Sequence, residues 1–446
     1  MKFEELVNQV KKYNPSADFE LITKAYNFAS KAHFNQIRES GHEHIIHLLG
    51  ACKILADLKM DEITIAACLL HDILEDTNIS KEMVKSEFGH EIADMVEGAT
   101  HISKISIPDF QTRQVENLRK MLIASTKDIR VILIKLADRL DNMRSLQYFR
   151  EDKQKRIAEE TLEVYAPIAY RLGLANMKWQ LEDLAFRYLE PKLYQEIKER
   201  VAKKRSEREV VINKIKAMVE KELRNHNMNA EVTGRVKNFY SIYKKIVERK
   251  YDFEGMYDLI ALRIIVNEVS DCYEALGIIH NLFKPVEERF RDYIANPKSN
   301  MYQSLHTVIL YNNEPVEFQI KTKEMEQIAE EGIAAHWQYK KLKSSEDFEK
   351  KLGWIKQILN IKDSTNKDFL EALKIDLFGD NIFVFTPKKD IIEIPKDATA
   401  LDFAYAVHTE LGNKCVGAKV NGKFVSIKHI LNNADLNIPD GFGLKI

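Results

Sequence analysis

The spacing of apolar residues divides the chain into a helical first part and later parts that contain strands. Over residues 1–190, apolar side chains recur every three or four positions, as at 128–144 and 158–175, and glycine is sparse. This period is that of amphipathic helices, so we predict an all-helical domain here. Residues 191–229 are rich in Lys and Glu, which predicts a connecting helical region with solvated faces.

The middle of the chain changes to runs of β-branched residues. Such runs occupy 258–266, 305–310 and 315–320, and a segment with helical spacing lies at 271–283. Strand-like runs that alternate with helices predict an α/β domain, which we place at 230–341.

The last part of the chain predicts a linker and a small β-rich domain. Residues 342–378 are charged and helical in pattern, and we interpret them as a helical linker. Residues 379–446 contain short strand-like runs and a helix around 399–411, and Asn421-Gly422 is typical of a two-residue hairpin turn.

Composition restricts the class of protein. The 446 residues suggest about three domains, and 45% hydrophobic with 30% charged residues is typical of a soluble globular chain. The net charge of −1 gives no global argument for nucleic acid or membrane binding, and no apolar run has transmembrane length. The N-terminus lacks the apolar segment of a signal peptide and the four cysteines are scattered, so we expect a cytoplasmic protein with reduced thiols and no membrane partner.

The most informative short run is His-Asp-Ile-Leu-Glu-Asp at 71–76. On a continuous helix, His71 and Glu75 lie one turn apart, as do Asp72 and Asp76, so we predict one stripe of four polar side chains. A solvated acidic helix end is the alternative for this run taken alone.

A metal site at this run needs ligands from elsewhere in the chain. His47 follows a short turn, and Asp138 lies in a strongly apolar helix, where an unpaired carboxylate would be costly. With His71 and Asp72 they offer two nitrogen and two oxygen donors, which suit Mn, Fe or Zn rather than Ca. A bound ion would increase the acidity of a water molecule, and the two acids one turn later could move its proton. Each ligand alone could be a satisfied buried residue, but together they favour a metal-dependent phosphohydrolase.

Two later segments are typical of a nucleotide-binding site. Residues 235–250 are rich in Lys and Arg with interleaved aromatics, although an ordinary solvated basic face is the alternative. Residues 289–307 combine cations, an aromatic ring and an Asn-Pro turn that could bend around a ligand. The candidates for phosphate binding are Arg289, Arg291, Lys298 and His306, and the candidate for base stacking is Tyr302.

The strand predicted at 316–321 places its polar residues on one face. Glu317 and Gln319 share that face, and Asp258 opens another predicted strand. Two carboxylates on neighbouring strands can hold Mg²⁺ against a nucleoside triphosphate, while one of them orients or deprotonates an attacking hydroxyl. The chain has no Walker A motif, so we do not expect a P-loop enzyme.

Long motifs follow one another along almost the whole chain. They are RESG…H at 38–47, HDILEDT at 71–77, LADRLDNMR at 136–144, APIAYRLGL at 166–174, KWQLEDLAFRYL at 178–189, GRVKNFYSIYKK at 234–245, YDLIALRI at 257–264, RFRDYIANPKSNMYQSLHT at 289–307, EFQIKT at 317–322, AEEGIAAHWQYK at 329–340 and VFTPKKDIIEIP…DFAYAVHTELGNKCVGAKVNGK at 384–423. In this order they resemble the bifunctional Rel, or RelA/SpoT-type, (p)ppGpp synthetase–hydrolases.

The resemblance implies a multidomain α and α+β fold. It consists of an all-helical HD hydrolase domain, a nucleotidyltransferase-like α/β synthetase domain and a small β-grasp TGS domain. For the hydrolase, the resemblance implies that His47, His71, Asp72 and Asp138 hold Mn²⁺, that Glu75 and Asp76 assist the water that removes the 3′-pyrophosphate, and that Arg38, Ser40, Asn142 and Arg144 border the alarmone.

For the synthetase, the resemblance implies transfer of pyrophosphate from ATP to GDP or GTP. Asp258 and Glu317 would bind Mg²⁺, and Glu317 would activate the acceptor 3′-hydroxyl, while Tyr302 would stack on guanine. The residues that would cradle phosphates or nucleotide edges are Arg235, Lys237, Lys245, Arg289, Arg291, Lys298, His306 and Gln319. The TGS domain, with His408, resembles the part that senses deacylated tRNA on the ribosome in longer members.

Three motifs depart from the family pattern. The usual Arg-Lys-Ser-Gly-Glu-Pro-Tyr reads Arg-Glu-Ser-Gly-His-Glu-His at 38–44, so Glu39 reverses a charge near the hydrolase base. The usual His before Asn142 is Asp141, and the Arg-x-Lys-Asp motif of bifunctional members has Arg291 as its second cation. Since the predicted metal ligands and the two adjacent acids are kept, we expect hydrolysis.

Three alternatives remain at this point. A synthetase-dominant member with a weakened hydrolase is one, and a ribosome- or tRNA-binding regulator with decayed catalysis is another, although intact carboxylates argue against the latter. A general HD phosphohydrolase would account for 1–190 but leave 230–340 without a role. Because opposite reactions would cycle nucleotides futilely, we hypothesise that the two sites exclude each other through the charged helix at 191–229.

Overall fold

A computed structural model describes most of the chain. The described residues are 2–100, 110–236, 238–249, 260–298, 300, 302–312, 314–335, 381–386, 391–395, 398–432 and 437–440. The chain forms two compact units, the first from residues 1–106 and 120–349 and the second from 107–119 and 350–446. None of the helices in the described ranges is long and apolar enough to cross a membrane.

The first 190 residues are helical, as their apolar spacing predicts. The helices are α1 (Phe3–Tyr13), α2 (Phe19–Ala32), α3 (His44–Asp57), α4 (Glu62–Leu69), α5 (Ile73–Asp76), α6 (Lys81–Ala99), α7 (Phe110–Lys127), α8 (Arg130–Arg144), α9 (Glu151–Glu160), α10 (Ala166–Arg171) and α11 (Ala175–Leu189). A π-helical turn at Thr161–Tyr165 joins α9 to α10, so the segment predicted at 158–175 is not one regular helix. Helix α3 packs against α4 and α8, and its packing against α8 brings together two helices that contain predicted metal ligands.

The prediction of one continuous helix through 71–76 is wrong. Helix α4 ends at Leu69, and α5 begins at Ile73, so the His71-Asp72 pair lies in the turn between them. The break lets adjacent residues face the same point, which a regular helix forbids because neighbours are rotated by about 100°. His71 is fully buried in consequence, whereas the Asp76 carboxylate is 45% exposed.

The α/β region that follows is built around a six-stranded sheet. A single long helix, α12 (Pro191–Asn225), leads into it, in agreement with the charged helical pattern at 191–229. The strands are β1 (Glu231–Val236), β2 (Ile260–Val266), β3 (Lys284–Pro285), β4 (Arg291–Asp292), β5 (Leu305–Tyr311) and β6 (Glu314–Thr322), and the helices among them are α13 (Phe239–Arg249), α14 (Val269–Leu282) and α15 (Lys323–Glu331).

The strand order is β1-β2-β6-β5-β3, and β4 pairs with β5. Strands β2 and β6 are parallel, with Ala261 opposite Glu317, while the other pairs are antiparallel. Val316, Phe318 and Ile320 pack into a core with α12 and α14, as the alternation in this strand predicts. The opposite face of β6 is therefore left for polar side chains.

An aromatic cluster joins the helical region to the sheet region within this first unit. Phe186 of α11 packs against Tyr240 and Tyr243 of α13, and Tyr194 of α12 packs edge-on against Phe239. The aromatics that interleave the basic residues of 235–250 therefore belong to a core between helices.

The described part of the second unit is small and mixed. A hairpin pairs β7 (Asn381–Phe385) with β8 (Ile391–Pro395), and β9 (Gly417–Val420) lies between β10 (Lys423–Val425) and β11 (Asn437–Asp440). Helices α16 (Ala400–Val407) and α17 (Thr409–Lys414) follow β8.

The predicted hairpin turn at Asn421-Gly422 has positive φ at both residues, +49° and +84°, as a type I′ turn requires. The linker predicted at 342–378 lies outside the described residues. The predicted fold class, α and α+β in several parts, is confirmed.

Candidate functional site

Four residues predicted as metal ligands meet at one point between α3, α8 and the α4–α5 turn. His47 Nε2 lies 3.3 Å from Asp138 Oδ1 and 3.7 Å from Asp72 Oδ2. His71 Nε2 lies 3.1 Å from Asp72 Oδ1 and 3.7 Å from Asp138 Oδ1. The structure therefore brings together residues that are up to 91 positions apart, since they run from 47 to 138.

The two imidazole rings are held through their Nδ1 atoms. His47 Nδ1 lies 2.7 Å from Asp141 Oδ2, and His71 Nδ1 lies 2.7 Å from the carbonyl oxygen of Cys68. Both Nε2 atoms are buried without a hydrogen-bond partner, which is unusual for polar atoms in a protein interior. A cation would satisfy them, because a second contact to Nδ1 is the usual way of orienting a metal-binding histidine. The donors thus fit a divalent metal ion.

The electrostatics of the cluster also favour a cation. Burial lowers the pKa of His47, but the neighbouring carboxylates of Asp138 and Asp141 outweigh this effect and the pKa is raised. Burial likewise opposes protonation of His71, yet the charges of Asp72 and Asp138 raise its pKa well above the usual value. The carboxylates respond in the opposite sense: despite burial, the pKa of Asp72 is lowered by His71. The site therefore attracts positive charge, whether as protons or as a metal ion.

Three of the four predicted ligands, His47, Asp72 and Asp138, line a cavity of about 610 Å³. Its lining is mainly polar, with both signs of charge. The lining residues are Gln36, Ile37, Arg38, Glu39, His44, His47, Asp72, Glu75, Asp76, Lys135, Asp138, Asn142, Phe149 and Lys153.

Predicted substrate residues differ in their relation to this cavity. Arg38 donates to Asn142 Oδ1, and Asn142 Nδ2 in turn donates to Asp138 Oδ1 at 2.6 Å, so both are linked to a predicted metal ligand. Ser40 and Arg144 are not among the described residues that line the cavity, and Arg144 donates instead to Gln180 Oε1 at 2.7 Å.

Charged residues that our sequence reasoning missed complete the cavity. Lys135 is buried, and its Nζ lies 2.9 Å from Asp138 Oδ2, on the side away from the histidines. Lys153 Nζ lies 2.9 Å from Glu39 Oε1, so the unusual acid at 39 is paired with a cation in the same wall. The sequence signal was present for Glu39, but nothing in the sequence indicated its partner 114 positions away.

The synthetase-like site lies on the polar face of β5 and β6. Glu317 Oε1 lies 3.3 Å from His306 Nδ1 and accepts a hydrogen bond from Gln319 Nε2 at 3.1 Å. His306 Nε2 lies 2.8 Å from the hydroxyl of Tyr302, which extends the polar chain to the predicted stacking residue. Four predicted residues are therefore adjacent.

Cations surround the ring of Tyr302. Lys298 Nζ lies 5.8 Å from the ring centroid, and the buried Lys321 Nζ lies 5.3 Å from it. Lys321 is also paired with Glu326 Oε2 at 2.5 Å, so it is held in place beneath this face.

The remaining predicted phosphate-binding residues that the structure describes lie on four other elements. Arg291 of β4 is opposite His306 in the sheet, and Arg289 ends a short 3₁₀ turn just before it. Arg235 lies in β1 opposite Ala261, and Lys245 lies on α13. Two further predicted residues, Asp258 and Lys237, lie outside the described residues.

His408 of the second unit directly follows α16 and is exposed. Its backbone N–H donates to the carbonyl of Ala404 at 3.1 Å. Nothing in this geometry bears on the predicted role in tRNA sensing.

Three known families match the chain in the order of these regions. A family described as "HD domain" matches residues 25–175, one described as "Region found in RelA / SpoT proteins" matches 234–344, and one described as "TGS domain" matches 382–436. A protein of Myxococcus xanthus named GTP pyrophosphokinase is 48% identical over 436 residues, which are 96% of this chain and 57% of that protein. This chain is a RelA/SpoT homologue.

The curated relatives of this chain are named for two different reactions, that of a GTP pyrophosphokinase and that of a 3′-pyrophosphohydrolase. The Aquifex aeolicus (strain VF5) protein named guanosine-3′,5′-bis(diphosphate) 3′-pyrophosphohydrolase is 46% identical over 421 residues, covering 94% of this chain and 60% of that protein. A solved structure described as a metazoan orthologue of SpoT that hydrolyses ppGpp is 27% identical, with a TM-score of 0.32, over 37% of this chain and 94% of that chain. The RelA/SpoT homologue spans a little over half the length of the curated relatives it matches.

Proposed function

We propose that this RelA/SpoT homologue both makes and degrades (p)ppGpp. One site transfers pyrophosphate from ATP to the 3′-hydroxyl of GDP or GTP, and the other hydrolyses the product to GDP or GTP and pyrophosphate. The observation that best supports the proposal is the pair of separate polar clusters in one chain. His47, His71 and Asp138 converge on one buried point, and Glu317 lies 3.3 Å from His306 on the sheet.

In the hydrolase site, we assign the metal-binding role to His47, His71, Asp72 and Asp138. Mn²⁺ is the proposed ion, since two nitrogen and two carboxylate donors suit it. When bound, such an ion polarises a phosphate and increases the acidity of water.

The remaining hydrolase residues handle the substrate and the proton. Arg38 and Lys153 lie in the cavity wall and would bind phosphate oxygens or the base. Water forms a bond to the phosphorus attached to the 3′-oxygen, and its proton passes to Glu75 or Asp76. The bond from that phosphorus to the 3′-oxygen breaks, and the departing oxygen takes a proton from the same acid or from solvent to become the 3′-hydroxyl. Carboxylates placed next to the reacting water are suited to this transfer.

In the synthetase site, Glu317 takes the proton of the acceptor 3′-hydroxyl. That oxygen bonds to the β-phosphorus of ATP while the bond to the α-phosphate oxygen breaks, and AMP leaves. His306 and the neighbouring cations neutralise phosphate charge, and Tyr302 stacks on the guanine. Mg²⁺ at Glu317 and Asp258 is the proposed ion for this site, as nucleotide phosphates commonly share Mg²⁺ with one or two carboxylates.

Two variants test the two halves separately. Glu317→Gln should lower AMP formation from ATP and GDP with Mg²⁺ by about 10²- to 10⁴-fold, the usual contribution of a general base. Asp72→Ala should abolish Mn²⁺-dependent pyrophosphate release from ppGpp. Each variant should leave the other reaction active, because the two clusters are built from different elements.

Matched controls come from the same strand and from a helix that packs against the tested turn. Glu314→Gln changes the first residue of β6, and Asp57→Ala removes an exposed carboxylate at the end of α3. Both controls should keep both reactions. Full ppGpp synthesis by the Glu317→Gln protein would refute the synthetase assignment, and full hydrolysis by Asp72→Ala would refute the hydrolase assignment.

The partners beyond nucleotides are part of the same proposal. We infer that the TGS region contacts deacylated tRNA and the ribosome, and that the protein acts in the cytoplasm. All four cysteines are buried and none forms a disulfide, as is usual in reducing compartments. Normal tRNA binding without turnover in either direction would favour the alternative of a regulator with decayed catalysis.

A further inference from the structure

We propose that His44, Asp72 and Asp76 hold a second divalent metal ion beside the first. The metal-binding part of this proposal rests on the cluster itself, and its catalytic consequence rests on the proposed hydrolase function. The site would share Asp72 with the first ion and make the hydrolase centre binuclear, and Glu75 would then be the group that takes the proton of the water.

The donor atoms already have the spacing of ligands around one ion. His44 Nε2 lies 3.1 Å from Asp72 Oδ2 and 3.9 Å from Asp76 Oδ2. Two ligands that each lie about 2.1 Å from one ion are separated by about 3 to 4.2 Å, depending on their angle at the metal. The three donor atoms lie within 4.8 Å of one another, as do the three donors of His47, His71 and Asp138.

The two oxygens of Asp72 reach both groups of donors, and Oδ2 also lies 3.7 Å from His47 Nε2. Asp72 Oδ1 lies 3.1 Å from His71 Nε2, and Asp72 Oδ2 lies 3.1 Å from His44 Nε2. A carboxylate that is placed in this way can bridge two cations. Ions of such pairs are about 3.5–4 Å apart, and together they can stabilise the attacking and the leaving oxygen of a phosphoryl displacement.

His44 is held in the orientation that this role needs. The residue is buried, and its ring stacks on that of His33 with centroids 4.3 Å apart and an interplanar angle of 10°. Gln36 joins the same support to Asp76: its Oε1 contacts His33 Nδ1 at 2.7 Å, and its Nε2 donates to the Asp76 carbonyl at 2.9 Å. A buried, stacked imidazole with its Nε2 directed at two carboxylates is a donor set for Mn²⁺, Fe²⁺ or Zn²⁺.

A simpler role for His44 makes a different prediction. If its Nε2–H only donates a hydrogen bond to Asp72, His44 orients a ligand of the first ion and no second ion binds. The two roles differ in metal stoichiometry and in magnetic coupling, which do not depend on catalytic activity.

The test uses the full chain with Mn²⁺ and no nucleotide. We expect the electron paramagnetic resonance spectrum of the wild-type protein to show an exchange-coupled Mn²⁺ pair, since coupling requires two ions a few ångströms apart. His44→Ala should lose the coupled signal and bind one Mn²⁺ fewer per chain by equilibrium dialysis. His42→Ala is the matched control, because it removes an exposed histidine from the same turn, and it should keep both properties.

The wild-type spectrum decides the matter even if His44→Ala folds poorly. A saturated wild-type protein that shows only the six-line spectrum of isolated Mn²⁺ would refute the second site, and so would a coupled pair that survives in folded His44→Ala. A ppGpp hydrolysis assay separates the two proposals. Hydrolysis with only isolated Mn²⁺ would support the proposed function and refute the second site. A coupled pair without hydrolysis would support the second site and refute the proposed hydrolase function.

Discussion

At the scale of single residues, the least expected contact is that of Asp141 with His47, a histidine that we assign to the metal site. Asp141 stands where the family pattern has His, and its Oδ2 lies 2.7 Å from His47 Nδ1. A carboxylate in this position fixes the tautomer of the ring and makes Nε2 a better donor. The neighbouring helix leaves room for it only because residue 50 is glycine: a Cβ on Gly50 would lie 2.2 Å from Asp141 Oδ1.

Replacing this carboxylate should weaken metal binding without unfolding the protein. We expect Asp141→Asn to lower the affinity of the hydrolase site for Mn²⁺ by about 10- to 100-fold, the usual effect of losing such an outer contact. Isothermal titration with Mn²⁺ measures the effect, and a thermal melt reports on the fold. Asp152→Asn, an exposed carboxylate at the start of α9, is the control. An unchanged Mn²⁺ affinity in Asp141→Asn would contradict the role of this contact.

The raised pKa values of His47 and His71 predict how metal binding depends on pH. Only the neutral imidazole binds a metal, so Mn²⁺ must displace the protons that these rings retain. Because their pKa values lie above the ordinary imidazole value of about 6.5, protons should still compete with Mn²⁺ for these rings above that pH.

We therefore expect Mn²⁺ affinity to fall as pH is lowered from 8.5 to 6, by about tenfold per pH unit for each displaced proton. The stability of the metal-free protein should change in the opposite direction, and decrease as pH rises. Its stabilisation by protonated His47 and His71 is complete below the unfolded pKa and is lost as pH rises through the raised folded pKa. Titrations at several pH values, with melts of metal-free protein, check both signs. Affinity that does not vary with pH would contradict the raised pKa values.

At the scale of elements, the helical region of residues 1–190 caps a helix of the sheet region. The Asp183 carboxylate on α11 accepts hydrogen bonds from the backbone N–H groups of Tyr240, at 2.9 Å, and Phe239, at 3.3 Å. These donors begin α13, where intrahelical partners are missing and the helix dipole favours negative charge. The helix that carries Lys245 thus depends on a residue 57 positions away.

Removal of this cap should affect synthesis more than hydrolysis. We expect Asp183→Ala to lower the free energy of unfolding by about 1 kcal/mol, as for other helix caps, and to raise the KM for ATP. Asp183→Asn keeps an acceptor oxygen and should lose less. Denaturant titrations and kinetics of both reactions measure the effects. Equal loss of ATP affinity in both variants would show that the charge rather than the cap is what matters.

At the scale of the molecule, the helical region and the sheet region are joined by close contacts that leave no space for a larger side chain. Ile333 N–H donates to the carbonyl of Leu172 at 2.9 Å, and Lys59 Nζ lies 2.6 Å from Glu331 Oε1. Between them Gly332 has φ = +54°, and a Cβ there would lie 2.3 Å from the oxygen of Leu172. Helix α12 also packs against α11, α13, α14 and β1.

These contacts give the mutual-exclusion hypothesis a specific test. Gly332→Ala should loosen this contact, lower the thermal stability and reduce the suppression of one activity while the other site is saturated. Gly277→Ala, on α14 with open space around its Cβ position, is the matched control. The measurement is ppGpp hydrolysis with and without saturating ATP and GDP analogues in all three proteins. Identical suppression in Gly332→Ala and wild type would exclude this contact as the route of coupling.

Much of the architecture follows from periodicity. The helix predicted at 128–144 is reproduced as α8, which is buried on every side over residues 130–138. The alternation of β6 is reproduced because one face of the strand packs against a core. The hairpin at Asn421-Gly422 follows from backbone sterics alone. These features depend on neighbours in sequence, so a sequence is enough to predict them.

The site could be predicted in its residue types but not in its arrangement. The sequence indicated His47, His71, Asp72 and Asp138 as a set, yet a continuous helix at 71–76 was the wrong geometry for two of them. Periodicity cannot reveal a break of three residues when the apolar pattern continues through it. Only the turn at 70–72 allows neighbouring side chains to face one point.

What the chain alone decided, then, is the order of regions, the faces of their helices and strands, and the chemical types of the site residues. The folded structure decided the pairs: Lys153 with Glu39, Asp141 with His47, and His44 with Asp72. The partners within each pair are between 28 and 114 positions apart. Contacts of this range depend on how helices pack, and no local pattern in the sequence encodes the distance between two side chains on different helices.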